Sequence, residues 1–133
     1  MSADRNKRSE RLTLPRSAIL RGNTHFDRLF KEGNRLSAPS MDLRYMVFPD
    51  SAAGCLVAFA AGRKLGGAVV RNRCKRHMRE AYRLNQGIVR GAFDSGLFGV
   101  HGVFIARRAD LTAAQTQADC RLLLTRLLAQ LPA

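Results

Sequence analysis

The sequence predicts a single mixed α/β domain, and three patterns carry that prediction. Met41–Phe48 alternates Met41, Leu43, Tyr45 and Val47 with Asp42, Arg44, Met46 and Phe48, the period of two expected of a half-buried strand. From Ala68 the period changes. At about 100° per residue, Val70, Cys74, Met78, Ala81 and Tyr82 gather into one apolar stripe, as a helix requires. Cys120, Leu123, Leu124, Leu127, Leu128 and Leu131 repeat that spacing near the end of the chain. This seam is too short for a coiled coil and reads as a helix packed on a sheet. With 133 residues the chain is the length of one domain. A chain of this size buries roughly 65–70% of its unfolded surface, enough for a core without metal or disulfide staples.

Taken in order, residues 1–22 are polar and basic with little periodicity and read as a flexible segment, leaving 23–133 as the domain. In "NTHFDRLFKEGN", Asn23 or Thr24 offers a cap, Asp27 follows Thr24 by three, and Gly33 offers a stop. Phe26, Leu29 and Phe30 share one face of that short helix. After the Met41–Phe48 strand, Pro49, Asp50, Ser51 and Gly54 supply turn chemistry. The apolar run Cys55–Ala61 is then a second strand, expected to form a hairpin with the first. Five glycines (Gly87, Gly91, Gly96, Gly99 and Gly102) break up residues 87–102 too often to support an element, and Val103–Ala106 reads as a short buried strand. Thr112 with Gln115 has the form of a capping box ahead of the last helix.

Charge is the second theme. The chain carries 23 Lys and Arg against 10 Asp and Glu, a formal net charge of +13. Such an imbalance opposes the compact state by self-repulsion, which points to an anionic partner. Nucleic acid is the leading candidate, since Lys and Arg neutralise phosphates and release counterions. The charge is densest in "RKLGGAVVRNRCKRHMREAYR" (Arg63–Arg83), with eight basic residues and the single acid Glu80. On the wheel, Asn72, Arg76, Arg79 and Arg83 fall within roughly 60° of one another, with Lys75 beside them. A solvated face kept for solubility would interleave acids at i, i+4; this one does not. A basic helix lying on an anionic membrane is the weaker alternative, because no Trp/Phe/Leu-rich face complements the charge.

Other chemistries are excluded. The N-terminus has no apolar core of a secretory signal, and no apolar run reaches membrane-spanning length. Cys55, Cys74 and Cys120 form no C-x-x-C pair and no zinc spacing with His25, His77 or His101, so they read as small buried hydrophobes in a reducing, cytoplasmic setting. No Walker lysine follows Gly62, Gly66 and Gly67, and no G-x-S-x-G elbow occurs. The scattered carboxylates do not suit a two-metal nuclease centre. The chain presents no catalytic residue and no metal site, and reads as a binder.

The same basic run resembles the signature of the bacterial ribonuclease P protein subunit. The matching residues are Arg63-Lys64, Gly66, Ala68-Val69, Arg71-Asn72-Arg73, Lys75-Arg76, Arg79-Glu80-Ala81 and the aromatic Tyr82. The likeness extends to His25–Arg35 and Val103–Leu111. The resemblance implies a two-layer α+β sandwich in the order αβββαβα, with a left-handed βαβ crossover. It implies a protein that does not itself cut RNA. A catalytic RNA, using magnesium ions, would remove the 5′ leader from precursor tRNA. By the motif match, Arg71, Asn72, Arg73, Lys75, Arg76 and Arg79 would face that RNA. Phe26 and Phe30, with Arg63 and Lys64 on the adjacent phosphates, would line the cleft for the single-stranded leader. No membrane and no obligatory protein partner is implied. The sequence departs from the pattern at Gly67, where Asn is usual, and in the length of residues 87–102. Asp42 and Arg44 fall where apolar or aromatic cleft residues are common; either a one-residue shift puts Tyr45 there or the cleft is more polar. A ribosomal-type structural protein, equally basic and equally free of catalytic groups, is the alternative, opposed by the ordered Arg-Asn-Arg signature.

Overall fold

A four-stranded sheet in the order β1-β2-β4-β3 separates the helices into two groups in the computed structural model, which describes residues 14–132. The strands are β1 (Asn34–Ser37), β2 (Met41–Phe48), β3 (Cys55–Ala60) and β4 (Gly99–Ala106); the helices are α1 (Asn23–Glu32), α2 (Ala68–Asn85), α3 (Gly87–Phe93) and α4 (Ala113–Gln130). The β1–β2 and β2–β4 pairs are antiparallel and β3–β4 is parallel. The architecture is the expected α+β sandwich.

Period two decides what each face buries. Met41, Leu43 and Tyr45 of β2, with Val57 and Phe104, enter the main core beneath α2 and α4, joined by Cys74, Met78, Ala81, Tyr82, Cys120, Leu123, Leu124 and Leu127. The apolar stripe read from α2 is thus its packed face. The opposite face of the sheet contributes Ala58, Val103, Met46 and Ile105 to a smaller cluster closed by Leu29 of α1. Within the α4 seam Leu128 is the exception, being exposed, and Thr116 and Asp119 are buried beside the leucines. Asp119 is satisfied there. Its carboxylate accepts from the Ser40 amide at 2.9 Å, from the Ser40 hydroxyl, and from Gln115 Nε2 at 2.9 Å, tying α4 to the β1–β2 turn.

Several expectations are corrected. The strands β2 and β3 do not form a hairpin, because β4 lies between them, antiparallel to one and parallel to the other. Consecutive strands usually pair, but β4 is the most thoroughly buried strand and takes one of the two central places. It is also longer than Val103–Ala106, beginning at Gly99. There a Cβ would stand 2.9 Å from that of Ala53 and 3.0 Å from the Gly54 carbonyl, so glycine allows the close approach. Residues 87–93, read as too broken for an element, form α3, with Val89 fully buried and Ile88 and Phe93 packed on the main core. Packing overrides the poor helix propensity of Gly87 and Gly91. The N-cap position of α1 is held by Gly22 at φ 99°, one residue before the expected Asn23 or Thr24. Gly33 does end α1: a Cβ there would lie 2.4 Å from the Leu29 carbonyl oxygen. Thr112 caps α4 by accepting from the Gln115 amide at 3.2 Å, while the Gln115 side chain turns to Asp119 instead of completing the box. Packed structure also begins before Asn23. Ile19 bridges Val57, the Leu20 amide donates to the Val57 carbonyl at 2.7 Å, and Leu20 is buried; residues 1–13 lie outside the described residues.

Candidate nucleic-acid interface

Because α2 commits Cys74, Met78, Ala81 and Tyr82 to the core, its remaining circumference must carry the basic residues. Asn72, Arg73, Arg76 and Arg79 are exposed, and Arg71 and Lys75 are half-buried on the flank. Two residues turn a helix by about 200°, so Arg71 and Arg73 stand on opposite flanks and the charge wraps the helix. Among the described residues none of Arg71, Arg73, Lys75, Arg76 and Arg79 is in an ion pair. The Arg71 Nε is buried with no hydrogen-bond partner among them. The Arg79 guanidinium lies 5.8 Å from the centre of the Phe59 ring, a cation–π contact that holds it toward β3. Arg83 differs. It is paired with Glu80, 3.0 Å from Arg83 Nε to Oε2, and that hydrogen bond lowers the Glu80 carboxyl below its usual range. The one acid of the basic run therefore neutralises the last arginine and leaves the others unopposed.

Arg63 and Lys64 form an exposed 3-10 turn with Leu65, joining the end of β3 to the start of α2. Of the glycine pair, only Gly66 is required by the backbone: its φ is 142°, and a Cβ would press on Val70 at 3.2 Å. Gly67 has φ −73° and open space around it, so its replacement of the usual Asn answers to no steric demand. The α2 N-terminus consequently lacks a side-chain cap.

On the other face of the sheet, α1 divides its two aromatic residues. Phe26 packs partly into the smaller cluster beside Leu29, whereas Phe30, one turn on, is 45% exposed. The two alternatives for β2 lie on opposite faces of the sheet. Tyr45 is buried in the main core, and Arg44 lies on the α1 side, donating from Nη1 to the Phe30 carbonyl at 3.2 Å. The floor beside α1 is therefore the more polar one, with Asp42 and Arg44 alternating with the apolar Met46. At the far end of α1 the rings of His25, His101 and Phe48 touch edge to face. His101 Nε2 lies 2.8 Å from the Ala53 carbonyl, which only accepts, so that nitrogen carries the proton.

Reactive and metal-binding alternatives find no support in the geometry. Burial raises the thiols of Cys55 and Cys74 and pushes that of Cys120 up to about 12, which keeps them protonated and inert. Among the described residues no three His, Cys, Asp or Glu side chains are grouped to hold a metal ion, and no helix is long and apolar enough to cross a membrane. A cleft of about 340 Å³ between Pro15–Ala18, the start of β3 and α3 includes none of the sequence-predicted site residues.

With this geometry in view, comparison with known proteins is decisive. The family model for Ribonuclease P matches residues 14–128. The chain belongs to the ribonuclease P protein family. The ribonuclease P protein component of Chlorobaculum tepidum is 44% identical over 100 residues, covering 70% of this chain and 64% of that protein. The chain thus spans just under two thirds of that relative. The component from Pelotomaculum thermopropionicum is 33% identical over 111 residues, covering 81% of this chain and 90% of its own length. The solved ribonuclease P protein of Thermotoga maritima shares the fold, with a TM-score of 0.62 at 24% identity over 81% of this chain and 96% of that one.

Three residues around these elements escape a sequence reading. Phe59, which steadies Arg79, sits in an apolar run that reads as plain core. Arg35 and Arg107 flank Asp42 from β1 and from the residue after β4. The signal was an acid on a strand otherwise flanked by arginines, but β1 is only four residues long and its partner was not identifiable by periodicity.

Proposed function

We propose that this chain is the protein component of a ribonuclease P ribonucleoprotein, binding a catalytic RNA through α2 and the 5′ leader of precursor tRNA beside α1. The observation that carries the reading is the α2 surface: five basic side chains without an acidic partner among the described residues, on a helix whose other face is core. A one-signed, convex, rigid face suits a folded RNA, recognised through shape and phosphate. Arg71, Asn72, Arg73, Lys75, Arg76 and Arg79 are its contacts. Phe30, half open beside Arg44, suits a stacked base of a single strand, with Phe26 supporting it from the smaller core and Arg63 and Lys64 on nearby phosphates.

In this reading the chain contributes binding and orientation to the endonucleolytic step, and the RNA carries the chemistry. Among the described residues no three His, Cys, Asp or Glu side chains are grouped to hold a metal ion, and this reading assigns the magnesium ions to the RNA and the substrate. The test is reconstitution with a ribonuclease P RNA at low magnesium, scoring release of the 5′ leader from precursor tRNA. Stimulated cleavage supports the reading. Unchanged cleavage, with the protein folded and bound to ribosomal fractions instead, overturns it.

A further inference from the structure

Two arginines converge on one carboxylate on the α1 side of the sheet. Asp42 of β2 lies 3.3 Å (Oδ2) from Nη2 of Arg35 on the neighbouring strand β1. Its Oδ1 lies 3.6 Å from Nη1 of Arg107, the residue that follows β4, and makes no hydrogen bond. Arg107 Nη1 is held further by the Ala38 carbonyl at 3.2 Å. The Asp42 side chain is only 15% exposed, while both arginine side chains are about half open to solvent. With both guanidiniums about half open to solvent, these pairs are screened and weak as stabilising contacts. The effect of Asp42 is to fix where the two cations stand.

We propose that Asp42 is a positioning residue that sets Arg35 and Arg107 as a two-pronged clamp for a backbone phosphate of single-stranded RNA. The clamp continues the leader site proposed above and rests on that reading. Asp42 and Arg44 are two residues apart on one face of a strand, about 7 Å, and Arg44 is tied to the Phe30 carbonyl. The clamp therefore lies on the same sheet face as Arg44, which reaches the α1 backbone at Phe30, and the apolar Ile105 lies opposite Asp42 in register. An aromatic platform with flanking cations is how single strands are held. A guanidinium fork matches the oxygens of a phosphate better than an ammonium does. Locally three arginines face one carboxylate, so the surface stays positive.

The test uses the protein assembled with a ribonuclease P RNA and compares binding of precursor tRNA with mature tRNA. If the unaltered complex does not favour the precursor, the leader reading itself falls. Where it does, Arg35→Ala and Arg107→Ala should each reduce that preference about tenfold, the scale of a charge-assisted hydrogen bond. Asp42→Asn is the decisive variant, because it keeps the shape and raises the net positive charge. Mature tRNA binding should hold or strengthen while the preference for precursor falls. A general charge effect would instead strengthen both equally, and a folding effect would weaken both with a lower Tm. Either of those results, or an unchanged preference, overturns the proposal.

Discussion

Leu29 and Phe30 are neighbours on α1 and should respond to truncation in opposite ways. Leu29 is 1% exposed and is the α1 residue fully buried in the smaller core, whereas Phe30 is 45% exposed. Fully burying a large apolar side chain is worth roughly 1.5–3 kcal/mol, so a half-buried Phe contributes about 1 kcal/mol. In a domain of this size Phe30→Ala should then lower Tm by only about 3 °C. Leu29→Ala adds a cavity and should cost about 2–5 kcal/mol. Binding should reverse the order. If Phe30 carries a stacked base, its loss costs ~1–3 kcal/mol of precursor affinity, roughly five- to more than a hundredfold, with mature tRNA hardly affected. The assay is titration of both tRNAs into the reconstituted complex, alongside thermal unfolding of each variant. Equal losses for precursor and mature tRNA, or a fall in Tm for Phe30→Ala comparable to that of Leu29→Ala, would refute the reasoning and return Phe30 to the core.

Other expected outcomes are as direct. Neutralising Arg71, Arg73 and Arg76 together, with Gln, should weaken assembly with the catalytic RNA and flatten the log–log salt dependence by about 2–3 units; an unchanged slope in a folded variant would mean this face points elsewhere. Asp119→Ala strands the Ser40 amide and hydroxyl in the interior, each costing ~1–3 kcal/mol, so denaturant unfolding should register a loss of about 2–5 kcal/mol; a loss under ~0.5 kcal/mol would show the network to be dispensable. The purified protein without RNA should leave precursor tRNA intact at any magnesium concentration. RNA-independent cleavage abolished by changing one acid or His would contradict that.

What the sequence made legible was local. The α2 stripe of Cys74, Met78, Ala81 and Tyr82 and the β2 alternation are properties of single elements, where period alone separates inside from outside. Sheet order is not such a property. Nothing in Met41–Phe48 or Cys55–Ala60 announces that Gly99–Ala106 will separate them, since insertion of β4 depends on a glycine whose missing Cβ makes room for Ala53 and Gly54. The helix α3 was hidden for the same reason: Val89 is buried by contacts that a seven-residue window does not contain. At the site, the motif placed the arginines of α2 but not the orientation of Asp42, which required the facing arginine of a four-residue strand.

The topology also bears on how, in the proposed reading, one small protein could serve two RNA surfaces. Leu29 of α1 packs with Ala58 and Val103, and the α2 stripe packs with Val57 and Phe104, the alternate residues of the same two strands. The two helices therefore lie on opposite faces of the sheet. An RNA held along α2 leaves the α1 face open, so in the proposed reading the catalytic RNA and the leader need not compete. The layers meet where β3 ends, at the turn that carries Arg63 and Lys64 and is made possible by the positive φ of Gly66. A basic turn at that junction can serve the strand leaving the α1 face and the RNA lying on α2 alike. In the proposed reading the dense charge and the required glycine of the signature thus act together: Gly66 turns the chain from the sheet into α2, and Arg63 and Lys64 stand on that turn within reach of both RNAs.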